Sequence, residues 1–123
     1  MSTLRLTTIS NQSGSATVPS ETVISGSAKA WVNFNGTGTV AIRAGFNVSS
    51  ITDNGTGDFT VNFTNAFSDT NYVALVSAGN PSDTPNIDRE AIITYTTTTC
   101  RMVFVNSGVA NIDPTFVNFA VFR

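Results

Sequence analysis

Histidine is absent from the 123 residues of this chain, so serine and cysteine nucleophiles have no imidazole to work with and the commonest zinc ligand is missing. Lysine occurs once, at Lys29, and the formal net charge is −2. That balance provides no basic stripe to neutralise phosphates, which excludes nucleic acid as an expected partner. Cys100 stands alone, so no internal disulfide can form, and between Thr99 and Arg101 it reads as an ordinary strand residue. No run approaches the roughly 20 apolar residues of a membrane span, and the first residues lack the charged and apolar regions of a signal peptide. A product made in the cytoplasm and left soluble, without membrane insertion, is expected. Charged residues make up only 11% of the chain, against roughly 25% in average soluble domains. Ser, Thr and Asn take the polar positions instead, and contacts made by hydroxyls and amides depend little on ionic screening. Such a surface suits a particle working outside cells in variable salt, although ordinary β-rich composition accounts for it equally well.

What is present is a succession of short β-type runs separated by glycine turns, clearest over residues 28–63. Ala28, Ala30, Val32 and Phe34 share one face of a strand while Lys29, Trp31 and Asn33 share the other. Asn35-Gly36 suits a tight type I′ turn and predicts a hairpin into residues 39–42. A second hairpin is predicted where residues 53–57, Asp-Asn-Gly-Thr-Gly, separate residues 46–51 from the alternating Phe59, Val61 and Phe63. Trp31, opposite Val32 and Phe34, reads as a second-layer core residue, as a surface covered by another chain, or as a platform for a sugar ring.

The phrase AWVNFNGTGTVAIRAGFNVSSITDNGTGDFTVNF, followed by NYVALVSA, resembles a module that recurs in tail fibre and related host-recognition proteins of tailed bacteriophages. The likeness is close over residues 29–78 and looser over the terminal TFVNFAVFR, and it carries no catalytic signature. It implies a distal, fibre-end domain of a homotrimeric virion component, located in the tail and binding other tail proteins and a host surface. Residues 79–90 fall where such modules vary.

Elsewhere, residues 1–27 are rich in Ser and Thr, with Leu4, Leu6, Ile9, Val18, Val23 and Ile24 as the apolar members. They read as two short strands, an extended stalk or a linker leading into a domain at residues 28–123, or else as an edge strand of the same sheet system. Residues 72–76 form an apolar run without alternation, expected for a strand covered on both sides. Residues 91–99 and 101–106 read as a strand pair. The last strand places Val117, Phe119 and Val121 on one face and Phe116, Ala120 and Phe122 on the other, so it asks for a central position or a subunit interface. About eight strands with turns between them, and no useful helical periodicity, predict an all-β antiparallel two-sheet β-sandwich.

Two polar loops are the first candidates for ligand contact, since loops on a rigid scaffold commonly carry recognition. Residues 79–89 supply Asn80, Ser82, Asp83, Asn86 and Asp88, and residues 106–114 supply Asn111 and Asp113. Trp31, Phe116, Val117, Phe119, Val121 and Phe122 are the candidates for an oligomer interface. The carboxylates Asp83, Asp88 and Glu90, and the pair Asp53 and Asp58, admit a two-carboxylate glycosidase in principle. Carboxylates in turns more often bond their own backbone. The same oxygen-rich loop matches no EF-hand spacing, and the Gly-Thr-Gly elements lack the lysine and helix of a phosphate loop, so no metal and no cofactor is expected. The expected function is attachment to a host glycan or outer-membrane protein. A structural virion subunit and, less favoured, a small polysaccharide-cleaving enzyme are the alternatives.

Overall fold

The computed structural model describes residues 2–80 and 87–123. In chain order the elements are β1 (Thr8–Ser10), β2 (Thr17–Pro19), α1 (Ser20–Gly26), β3 (Ala28–Asn35), β4 (Ala41–Phe46), β5 (Val48–Gly55), β6 (Asp58–Phe63), β7 (Val73–Gly79), β8 (Arg89–Tyr95), β9 (Thr99–Val105) and β10 (Phe116–Phe122). The fold is all-β in class, with one short helix. One four-stranded sheet has the order β4-β3-β10-β7 and a second the order β5-β6-β9-β8, while β1 and β2 pair only with each other. All of these pairings are antiparallel.

Alternation along the four central strands builds a single core. From β3 and β10 it takes Ala30, Val32, Phe34, Val117, Phe119 and Val121, and from β6 and β9 Phe59, Val61, Phe63, Cys100, Met102 and Phe104. Phe34 meets Phe59 edge-on with ring centroids 5.5 Å apart, and Phe63 stacks near Phe119 at 6.4 Å, so aromatic contacts join the two sheets. At one end Tyr72 packs on Phe63, Phe67 and Tyr95. Its hydroxyl donates to the Thr96 carbonyl at 3.0 Å, with the Thr99 carbonyl at 3.2 Å. Burial raises the phenol pKa well above its ordinary value.

The chain passes from the first sheet to the second at Asn47, whose φ of 54° few residues other than glycine and asparagine tolerate. The Asn47 side chain donates to the Lys29 carbonyl at 3.0 Å and accepts from the Asn65 backbone N–H at 2.8 Å. One residue thus turns the corner and ties it to both neighbouring segments.

The β3–β4 hairpin forms where expected, but through residues 36–40 rather than a two-residue turn. The left-handed position is Gly38, with φ 62°. Asn35 organises the loop with its side chain, donating to the Thr37 carbonyl at 2.6 Å and accepting from the Thr37 hydroxyl at 2.9 Å. Gly36 is needed for a different reason: a Cβ there would lie 2.7 Å from the Pro114 carbonyl oxygen, to which its own N–H donates at 2.9 Å. The β5–β6 hairpin turns at Gly55 and Gly57 as the sequence indicates, but Phe46 belongs to β4, on the other side of the Asn47 corner.

Three further expectations change. Within residues 2–27, Ser20–Gly26 is a helix, although its Thr22, Val23 and Ile24 are β-branched. Leu4 and Leu6 lie outside any strand and are exposed, and the β1–β2 pair joins neither sheet, so it is no edge strand of either. The run at residues 72–76 is not covered on both sides within the chain: β7 is an edge strand, with Ala74 and Val76 against the core and Val73 and Leu75 exposed. Finally, β10 is central, and Val117, Phe119 and Val121 are buried in the chain's own core, which removes them as oligomer contacts.

Gly57 has φ 66°, and a Cβ there would fall 2.6 Å from the Phe104 carbonyl oxygen and 2.7 Å from the Ile112 nitrogen. Gly38, with φ 62°, faces open space. Gly38→Ala should therefore cost only the left-handed conformation, about 1 kcal/mol, and Gly57→Ala about 3 kcal/mol or more. Equal losses in urea unfolding would contradict the close approach at Gly57. Cys100 is fully buried, and burial pushes its thiol up to about 11. It should resist a thiol reagent at pH 8 until the chain unfolds, whereas rapid labelling of the native protein would contradict its burial.

Candidate binding surface

The two candidate loops meet at one end of the sheets. Asn80 Oδ1 accepts from the Thr115 N–H at 2.7 Å, the Asp88 N–H donates to the Val105 carbonyl at 3.0 Å, and Asn111 forms a β-bridge with the same Val105. Asp88 and Asn111 are exposed, while Asp113 is half-buried and accepts from the Gly57 N–H at 2.6 Å. Ser82, Asp83 and Asn86 lie outside the described residues. The second loop is internally built: Asn106 Oδ1 accepts from the Ala110 N–H at 3.0 Å, Ile112 and Pro114 are buried, and Val109 stands out at its tip. Asn80 and Asp113 therefore hold backbone in place, and Asp88 and Asn111 are the described loop candidates that present side chains outward.

A second surface was only partly visible in the sequence. On the outer face of the first sheet, strand register aligns Phe46, Trp31, Ala120 and Leu75 as one cross-strand row. Phe122 and Val73 form a neighbouring pair. Phe46, Trp31, Leu75 and Val73 are 56%, 41%, 57% and 60% exposed, which is unusual for four large apolar side chains in one patch. Trp31 is thus neither core nor covered within the chain. Beside this apolar row runs a polar one, in which Asn33 donates to Asn118 Oδ1 at 2.6 Å and Asn118 faces Ser77. Trp31, Ala120 and Leu75 of the apolar row and Asn33, Asn118 and Ser77 of the polar one line a shallow groove of about 390 Å³. Phe116, also exposed, lies under the Arg43 guanidinium at 4.4 Å from its ring centroid, and Arg43 donates to the carbonyls of Phe34 and Thr115. Phe46, Val73 and Leu75 escaped the sequence reading because cross-strand neighbours depend on register. The unbroken apolar run at residues 72–76 was the available signal.

Of the carboxylates that suggested hydrolysis, Asp53 and Asp58 are engaged in structure, Asp88 and Glu90 are exposed, and Asp83 lies outside the described residues. Asp53 accepts from the Gly55 N–H at 2.9 Å, an Asx turn, and Asp58 pairs with Arg101, whose Nε lies 2.8 Å from Asp58 Oδ1. Asp69 binds the Asn71 N–H at 2.8 Å and pairs with Arg123. Among the described residues no three His, Cys, Asp or Glu side chains cluster as a metal site requires. The Arg101 hydrogen bond, aided by one from Asn54, holds Asp58 below the ordinary carboxylate range, against the opposing effect of burial. Because the folded pKa is depressed, the stability from this pair is present above the unfolded value near 4 and is lost as pH falls through the lower folded value. Carbon-detected NMR titration should show Asp58 returning toward the ordinary range in Arg101→Gln, and an unchanged titration would contradict the pairing.

Truncating Asp113 should cost about 2 kcal/mol by orphaning the Gly57 amide, while Asn111→Ala should leave stability within about 0.5 kcal/mol. Equal unfolding midpoints for the two variants would contradict this division of the loop into anchor and presenter. In comparison with known proteins, the chain matches no family model, no curated protein and no solved structure.

Proposed function

We propose that this chain is a non-catalytic binding module, a two-sheet β-sandwich that assembles as a homotrimer and serves as the fibre-end domain of a bacteriophage tail. In this reading it is made in the host cytoplasm, is carried in the virion tail beside other tail proteins, and attaches to a host surface glycan or outer-membrane protein. The observation that carries the assembly is the exposed row of Phe46, Trp31 and Leu75 with Val73 beside it, on a sheet otherwise built with a dry inner face. Phe116 and Phe122 share that outward surface and complete the interface, while the loop end with Asp88 and Asn111 is left facing away from the core. The phrase at residues 30–63 and 71–78 supports the phage setting by its resemblance to fibre-end modules. Three copies of a weak site on one fibre raise effective concentration at a cell surface without any new contact.

A structural virion subunit with no host ligand is the second reading, favoured by the use of Asn80 and Asp113 for internal hydrogen bonds. Light scattering after size exclusion should give three times the 13.0 kDa chain mass. Leu75→Arg, on an exposed edge position, should shift that mass to the monomer without changing the circular dichroism spectrum. A monomeric native chain would overturn the trimer. Labelled trimer should bind host cells, and combined Asp88→Ala and Asn111→Ala should reduce binding at least tenfold. Binding to tail particles but not to cells would select the structural reading instead.

A further inference from the structure

Residues 2–26 hold a defined shape while burying none of their own apolar side chains. The β1–β2 hairpin is closed locally, with the Asn11 N–H donating to the Ala16 carbonyl at 3.0 Å and Gly14 in the left-handed region. The Ser20 N–H donates to the Thr7 carbonyl at 3.0 Å and so fixes α1 beside β1. At the other end Lys29, the sole lysine, donates to the carbonyls of Ile24 and Ser27 and ties the end of α1 to β3. Even so, residues 2–19 and 21–27 are exposed throughout. A seven-residue helix and a hairpin of three-residue strands are each marginal in water on their own.

The exposed side chains are grouped. Leu4, Leu6 and Ile9 face Val23 and Ile24 across a cleft of about 480 Å³, with Arg5 and Glu21 as its only charged lining residues. Neither charge has an ion-pair partner among the described residues. A surface that carries one cation, one anion and apolar side chains between them can pair head to tail with the same surface of the next copy.

We infer that residues 2–26 are a self-association element, in which the apolar side chains Leu4, Leu6 and Ile24 of the copies pack together about the ring axis and Arg5 of each copy pairs with Glu21 of the next. This rests on the homotrimer proposed above and names a contact separate from the sheet face. Copies of one chain satisfy it without another protein, and a closed ring leaves no Arg5 or Glu21 unpaired.

The test is a charge-reversal cycle on the full chain: native, Arg5→Glu, Glu21→Arg and both together, with the dissociation constant of the assembly read by sedimentation in low salt. Each single reversal should weaken assembly by about tenfold, since a weak exposed pair is repeated in every copy, and the double reversal should restore it to within about threefold. Leu4→Ser, at an 82% exposed position that folding does not use, should weaken it further. Single reversals without effect, or a double reversal that adds the two losses, would overturn the contact. If the native trimer ignores all these variants yet Leu75→Arg dissociates it, the homotrimer stands and residues 2–26 are excluded from it. A native chain that is monomeric throughout would remove both.

Discussion

Burial of alternate residues from four central strands is the constraint on which the rest of this molecule depends. β3 and β10 in one sheet, and β6 and β9 in the other, each send every second side chain into one core. Phe34, Phe59, Phe104 and Met102 are its largest fully buried members. Each Å² of apolar surface removed from water in this way contributes roughly 25 cal/mol. The edge strands β4, β5, β7 and β8 contribute fewer buried residues, and the loops are then pinned where they cross the core. Gly36 and Gly57 are glycines because Pro114, Phe104 and Ile112 approach them closely.

The scarcity of charge shapes how those loops are held. Asparagine carries out work that ion pairs or prolines do elsewhere: Asn47 turns the corner between sheets, Asn35 organises the β3–β4 loop, and Asn106 closes the loop after β9. The amide offers both a donor and an acceptor, so one side chain can satisfy two backbone groups at once. The ion pairs Asp58–Arg101 and Asp69–Arg123 are both partly exposed. Partly exposed pairs of this kind contribute little to stability and do not determine the fold.

The central strands were legible because alternation is a local property. Phe59, Val61 and Phe63 declare their inward face without any knowledge of partners, and so do Val117, Phe119 and Val121. The latter were also assigned to an interface, because an apolar strand at the end of the chain does not reveal whether its cover comes from its own second sheet. The same ambiguity hid β7, whose outward Val73 and Leu75 look like core in sequence. Helix α1 was missed because its β-branched residues signal strand and its length is too short for periodicity to show. Asn80, Asp88, Asn111 and Asp113 fall outside the named strands, as their polar, non-periodic surroundings indicate, but the division between anchoring side chains, such as Asp113, and presenting ones, such as Asn111, depends on contacts with Gly57 that are distant in sequence.

Cover of the outer face of the first sheet by copies of the same chain, as proposed, is open to direct measurement. Trp31 is the only tryptophan and sits in the middle of that face, so its fluorescence reports directly on cover. Acrylamide quenching of the full chain across a dilution series is the most direct measurement. Trp31 should be shielded at high concentration and become accessible as the assembly dissociates. Quenching that is strong and independent of concentration would contradict it.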